Sequence, residues 1–119
     1  MESKFPRKVT KPWGYELLWA GTSRYAGKLI FIREGHRLSL QHHKVKDESM
    51  YLYAGKARIE IEGSDGKLVS SLAEPGYCVH VPPLTKHRIE ALEDTTLFEV
   101  STSELDDVVR FSDDYGRAD

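Results

Sequence analysis

The sequence has 119 residues and a formal net charge of −2, with 39% hydrophobic and 30% charged residues. This length fits one domain with a real core, and the composition excludes general disorder and a basic face for nucleic acid. No apolar run approaches the ~18 residues that span a membrane, and the N-terminus lacks the apolar segment of a secretory signal. Cys78 is the only cysteine, which excludes an internal disulfide. We therefore expect a cytoplasmic protein.

Short segments in which apolar and polar residues alternate occupy the chain from position 28 to 101. They predict strands at 28–33, 37–43, 51–53, 57–61, 67–72, 77–81, 88–92 and 96–101. Glycine- and proline-containing turns separate them, and 63–66 is the clearest hairpin loop. About eight short strands at this spacing predict an all-β sandwich or barrel.

We expect a single domain over residues 1–119. Its barrel core covers about 28–102, with an N-terminal arm at 1–27 and a C-terminal tail at 103–119. The tail, at 104–117, is predicted to form one helical turn followed by a loop.

Four polar residues form a candidate metal site. Gln41 and His43 are two apart on a predicted strand, so their side chains leave the same face. Glu48 follows where the next strand begins, and His87 follows a proline pair. Two imidazoles, one carboxylate and one amide suit a single divalent ion of Zn, Mn, Fe, Ni or Co. Each residue also has an ordinary structural role available, as a strand-edge histidine, a lumen amide or a solvated carboxylate.

The spacing around these four residues resembles the two cupin motifs. The pattern Gly-x5-Gln-x-His-x4-Glu-x6-Gly over 35–55 resembles the first, with glutamine in place of its first histidine. The pattern Gly-x5-Pro-x4-His over 76–87 resembles the second, although Leu84 replaces its usual glycine and Ala91 its usual asparagine. The resemblance implies a single-domain cupin, which is a double-stranded β-helix or jelly-roll barrel.

Further segments resemble one cupin branch, the cupin domain of type II mannose-6-phosphate isomerases. They are Lys-Pro-Trp-Gly-Tyr-Glu at 11–16, Leu-Ser-Leu-Gln at 38–41, and the closing segments at 106–111 and 113–117. The resemblance covers about 11–117. It implies interconversion of mannose 6-phosphate and fructose 6-phosphate by a metal-dependent enediol mechanism, and a homodimer. Ser49 and Met50 stand where an aromatic residue commonly follows the metal glutamate.

Within that reaction, a base must reach the C1–C2 edge of the sugar. Glu99, a lone carboxylate in an apolar strand, is the candidate; its alternative is an outward charge paired with a lysine. By the resemblance, Lys28 and Arg37 hold phosphate or substrate oxygens, and Arg110 and Arg117 close over the site. For all four cations the alternative is a plain surface or tail charge.

Two other functions fit the same sequence. One is a different metal-dependent cupin enzyme, such as a dioxygenase with iron in its open site. The other is a non-catalytic carbohydrate-binding cupin in which the metal holds the fold or a ligand. We expect a small-molecule sugar or sugar-phosphate substrate, without nucleic acid or membrane.

Overall fold

The structure of the protein is a computed structural model that describes residues 4–119. It contains eleven β-strands, and none of the described residues lies in a helix. Accordingly, the described part of the chain includes no helix that is long and apolar enough to cross a membrane. In chain order the strands are β1 Arg7–Lys11, β2 Gly14–Gly21, β3 Ala26–Ile32, β4 Leu40–His42, β5 Glu48–Ala54, β6 Ala57–Glu62, β7 Leu68–Ala73, β8 Cys78–Val81, β9 His87–Ala91, β10 Thr95–Ser101 and β11 Val109–Ser112.

The strands form two sheets in which neighbouring strands are antiparallel. The six-stranded sheet has the order β1-β2-β3-β10-β5-β8, and the five-stranded sheet has the order β11-β4-β9-β6-β7. β10 lies between β3 and β5, which are distant from it in sequence, so the sheets are wound rather than simple meanders. This architecture confirms the predicted all-β jelly-roll barrel.

Alternation along each strand sends one set of side chains into the space between the sheets. The fully buried apolar residues come from both sheets and form one continuous core. The most completely buried of its large side chains are Ile30, Ile32, Leu52, Ile59, Val81, Ile89 and Leu97. Because both sheets contribute inward side chains, the core holds the sheets face to face.

The structure has three strands that the sequence analysis did not predict. β1 and β2 extend the six-stranded sheet at its edge, and β11 extends the five-stranded sheet. The predicted helical turn in the tail is therefore wrong, because residues Val109–Ser112 pair with β4. The tail contains β-branched and aromatic residues that suit a strand, and a single helical turn would have formed too few hydrogen bonds to persist.

Candidate metal centre

His43, Glu48 and His87 come together at one end of the barrel interior. His43 directly follows β4, Glu48 begins β5, and His87 begins β9. β4 and β9 are neighbours in one sheet while β5 belongs to the other, so the group joins the two sheets. All three side chains are almost completely buried, with 3–4% of each residue exposed.

The side-chain atoms of this group are close enough to hold one metal ion. Glu48 Oε1 lies 3.4 Å from His43 Nε2 and 3.1 Å from His87 Nε2. One ligand atom from each of the three residues lies within 4.8 Å of the others. The two imidazole rings are tilted by 50° to each other, with centroids 5.3 Å apart.

The hydrogen bonds of the two histidines fit metal binding. Nδ1 of His43 donates to the carbonyl oxygen of Asp107, and Nδ1 of His87 donates to that of Thr85. A proton held at Nδ1 leaves Nε2 of the neutral ring as a lone pair, which is the usual arrangement in metal-ligating histidines. Nε2 of His43 is buried without a hydrogen-bond partner. The Nε2 lone pairs of the two histidines face one carboxylate, and a divalent cation satisfies this set of donor atoms.

Gln41 lies beside this group. It is paired in register with His87 across β4 and β9, and both residues line the same cavity. The side chain of Gln41 accepts a hydrogen bond from Ser39 Oγ at 3.0 Å through Oε1. The structure thus brings all four predicted ligands to one end of the barrel, with Gln41 at the side of the His–Glu–His group.

A buried lysine connects this group to Glu99. Lys46 Nζ lies 3.1 Å from Glu48 Oε2 and 3.1 Å from Glu99 Oε2, and only 4% of Lys46 is exposed. Burial would lower the pKa of Lys46, but the two carboxylates outweigh burial and raise it. Burial raises the pKa of Glu99 to about 7, and the charge of Glu48 adds to this rise. Glu99 therefore points inward, which excludes the alternative of an outward surface charge.

Asp107 holds the segment between His43 and Glu48 in place. Its carboxylate accepts hydrogen bonds from the backbone N–H groups of Lys44, Val45 and Lys46 at 2.7–3.0 Å. These bonds, that of Lys46 first, lower the pKa of Asp107 to about 2. Since the carbonyl of the same residue orients His43, Asp107 fixes both a histidine ring and the loop that carries Lys46.

A cavity of about 170 Å³ opens next to the group, and several cationic side chains line it. Lys28 and Arg110, both predicted substrate-contacting residues, lie on its wall together with Glu99. Lys28 Nζ also pairs with Glu16 Oε1 at 3.2 Å. Two further cations, Arg7 and Lys11, enter from the edge strand β1.

The other two predicted substrate-binding arginines lie outside this cavity. Arg37 donates to both carboxylate oxygens of Asp114, at 2.6 and 2.9 Å, on the surface. Arg117 pairs with Asp113 and lines a smaller pocket that shares Gln41 and Arg110 with the main cavity. Neither arginine is placed among the residues that surround the His–Glu–His group.

Sequence analysis missed Lys46, Asp107, Arg7 and Lys11 at this site. Lys46 lies in the charged segment Lys-Val-Lys-Asp-Glu at 44–48, and such a run of charges is typical of a solvated loop. Arg7 and Lys11 lie in the segment Arg-Lys-Val-Thr-Lys at 7–11, whose charges are typical of a solvated N-terminal arm. Only the pairing of β1 with β2, which turns Arg7 and Lys11 inward, shows that these charges face the cavity.

Comparison with known proteins agrees with the geometry. A family model described as mannose-6-phosphate isomerase C-terminal matches residues 1–113. Mannose-1-phosphate guanylyltransferase of Escherichia coli strain K12 is 36% identical over 122 residues, covering 98% of this chain and 24% of its own length. The chain thus spans about a quarter of the length of this relative.

Two solved structures share the fold. KdgF from Halomonas sp. has a TM-score of 0.70 at 21% identity, covering 82% of this chain and 86% of its own. Oxalate decarboxylase from Bacillus subtilis has a TM-score of 0.77 at 19% identity, covering 90% of this chain and 30% of its own. Both are cupins, and the predicted cupin fold is confirmed.

Proposed function

The chain belongs to the mannose-6-phosphate isomerase C-terminal family of cupins, and from this premise we propose that it is a metal-dependent sugar-phosphate isomerase. The reaction is the exchange of mannose 6-phosphate and fructose 6-phosphate. The observation that carries the proposal is the buried His–Glu–His group next to a cavity that holds both a buried carboxylate and several cations.

His43, Glu48 and His87 would hold the metal, with Gln41 as a fourth ligand. A divalent ion held there would polarise a carbonyl and the hydroxyl on the neighbouring carbon, which acidifies the C–H proton of that carbon. The Mn(II) centres named for Bacillus subtilis oxalate decarboxylase support manganese as one suitable ion. The same nitrogen and oxygen ligands also accept Zn, Fe, Ni or Co.

Glu99 is the proposed base that moves the proton between C1 and C2. Its carboxylate is buried on the cavity wall and lies on the strand next to Lys28. Lys28 and Lys46 flank it with positive charge, so the ionised form has partners when the proton is away from it. Lys28 is proposed to hold a substrate oxygen near the same position.

Cations at the cavity support recognition of a phosphate. Arg110, Arg7 and Lys11 line it in addition to the lysines already described. Arginine donates paired hydrogen bonds to phosphate oxygens, and Nε of Arg110 is buried without a partner inside the protein. We therefore assign the phosphate end of the substrate to Arg110 and β1. Arg37 and Arg117 would support the tail through their pairs with Asp114 and Asp113.

The test is an isomerase assay on protein loaded with Mn²⁺, with mannose 6-phosphate as substrate. We expect turnover in the wild type and a loss of about 10²–10⁴-fold in kcat for Glu99→Gln, which removes the base but keeps the shape. Glu93→Gln, on the surface outside the cavity, is the matched control and retains full activity. Tight binding of the sugar phosphate without turnover would favour the non-catalytic carbohydrate-binding cupin, and O₂ consumption would favour the dioxygenase.

We also propose that two copies pair through the outer face of the six-stranded sheet. From β2 to β8, the outward positions of these strands carry no Asp, Glu, Lys or Arg. Most of them are apolar, namely Leu17, Trp19, Leu29, Phe31, Tyr51, Tyr53, Phe98 and Val100, whereas Ser49, Thr96 and His80 are polar. The outer face of β6 and β9 differs, since Arg58, Glu60 and Glu90 lie on it.

Its size suits a second copy of the chain. Five strands of about seven residues cover a flat area of about 550 Å², and two such faces together exceed the ~1,000 Å² expected of a stable interface. Sedimentation at micromolar concentration should give twice the mass of 13.6 kDa. Val100→Glu should give monomers, whereas Leu72→Glu, on the other sheet and similarly exposed (58% against 54%), should not. A monomeric wild type would contradict the proposal.

A further inference from the structure

The two oxygens of Glu48 have different neighbours. Oε1 faces Nε2 of both histidines, at 3.1 and 3.4 Å. Oε2 faces away from them towards Lys46 Nζ at 3.1 Å. A carboxylate can bind a metal through one oxygen or through both, so the occupation of Oε2 by an ammonium group bears directly on the coordination number.

We infer that Lys46 is a positioning residue that restricts Glu48 to a single metal-binding oxygen and ties it to Glu99. The inference rests on the proposed metal site and adds a residue to it. Because Lys46 pairs with Oε2, only Oε1 is available to bind the metal together with His43 and His87. A coordination position that a second carboxylate oxygen would otherwise take is thereby kept for a substrate oxygen.

The burial of Lys46 supports a specific role. Ordering and desolvating a lysine costs free energy, and lysines are rarely buried unless paired. Lys46 has two carboxylate partners at the same distance of 3.1 Å, on strands β5 and β10 of one sheet. Its backbone is also fixed by the carboxylate of Asp107, so the ammonium is held where the two glutamates meet.

Lys28 provides a matched comparison within the same cavity. It is also a lysine on the cavity wall, but its ammonium pairs with Glu16, at 3.2 Å, and not with Glu48. Replacing either lysine by methionine removes one positive charge from the cavity and keeps the length of the side chain. Only the replacement of Lys46 frees the second oxygen of Glu48.

The experiment is a crystal structure of the Mn²⁺-loaded protein, with Mn²⁺ affinity measured by calorimetry. Wild type and Lys28→Met should show one Glu48 oxygen on the ion. Lys46→Met should show both oxygens and bind Mn²⁺ roughly fivefold or more tightly, since a nearby positive charge is lost and a ligand oxygen is gained. The double variant Lys46→Met/Glu99→Gln leaves the net charge unchanged, and it should still show both oxygens.

A merely structural role for Lys46 gives the opposite sign, because a loosened site binds Mn²⁺ more weakly. If Lys46→Met does not fold, the double variant, which lacks the unpaired Glu99 charge, decides the question. Two Glu48 oxygens on the ion in the wild type, or one in both Lys46 variants, would overturn the role of Lys46 and leave the metal site standing. Wild-type protein that binds no Mn²⁺ would overturn the metal site as well.

Discussion

The two ends of the barrel interior are built by the same strands and have opposite chemistry. On β3 the inward residues run from Lys28 at one end to Ile30 and Ile32 at the other. On the antiparallel strand β10 the order is reversed, so Glu99 lies opposite Lys28 and Leu97 opposite Ile30. The polar residues therefore collect at one end and the apolar residues at the other.

β5 and β9 repeat this division. Glu48 and His87 are the first residues of their strands, and buried apolar residues follow at every second position. At the polar end, Leu105, Val108 and Arg110 of the tail line the cavity. Stability and ligand binding therefore occupy separate parts of one core, so a substitution at either end should affect one property far more than the other.

Loss of the metal from the polar end is the strongest change that we predict. Wild-type protein purified without a chelator should hold about one equivalent of a transition metal. The variant His43→Ala/His87→Ala should hold none, because only Glu48 of the His–Glu–His group remains. Metal analysis of the purified proteins measures this directly.

His80→Ala is the matched control for this prediction. His80 is an exposed histidine that pairs with Asp47 at 2.7 Å, away from the group. It should leave the metal content unchanged. Full metal content in the double histidine variant would mean that the ion lies elsewhere.

The apolar end should respond in stability instead. Leu97 is completely buried, and Leu97→Ala should lower the free energy of unfolding by about 2–5 kcal/mol, through lost burial and a residual cavity. Urea denaturation measures the change, and the metal content of the folded variant should stay at the wild-type level. Leu72→Ala, at an exposed position, should change stability by less than about 0.5 kcal/mol. A large loss of metal in Leu97→Ala would show that the two ends are coupled.

Much of this division could be predicted from sequence. Alternation predicted the strands from 28 to 101, because it is a local pattern that a single sequence shows directly. The resemblance to the two cupin motifs predicted that Gln41, His43, Glu48 and His87 lie together, since their spacing alone is only suggestive of a site. The inward direction of Glu99 required the structure, since a lone carboxylate in an apolar strand fits either face.

The contacts that the sequence did not reveal join residues far apart in the chain. Lys46 meets Glu99, which is 53 positions away, and Asp107 caps a loop more than 60 positions before it. β11 pairs with β4 at a similar separation. Such pairings depend on which strand edges remain unpaired once the other strands have assembled. The alternation of apolar and polar residues in a single sequence does not contain this information.

The smallest expected effect concerns Leu84, which stands where the cupin motif usually has glycine. Leu84 has a φ of 62°, in the left-handed region that side chains with a Cβ rarely adopt. It lies in the loop before His87, and its N–H donates to the carbonyl of His43 at 2.6 Å. The side chain is exposed, so little burial compensates for the strained backbone. The loop before His87 therefore contains a residue with a strained backbone.

Leu84→Gly should therefore raise the free energy of unfolding, by up to about 1.6 kcal/mol. Relief of the left-handed conformation contributes about 1–2 kcal/mol, and the greater freedom of glycine in the unfolded chain removes about 0.4–1 kcal/mol of that gain. Leu84→Ala is the control, because alanine keeps the Cβ and should give no increase in thermal or urea stability. A Leu84→Gly variant that is less stable than Leu84→Ala would show that the backbone at this position carries little strain, and that the glycine of the motif serves some purpose other than its φ.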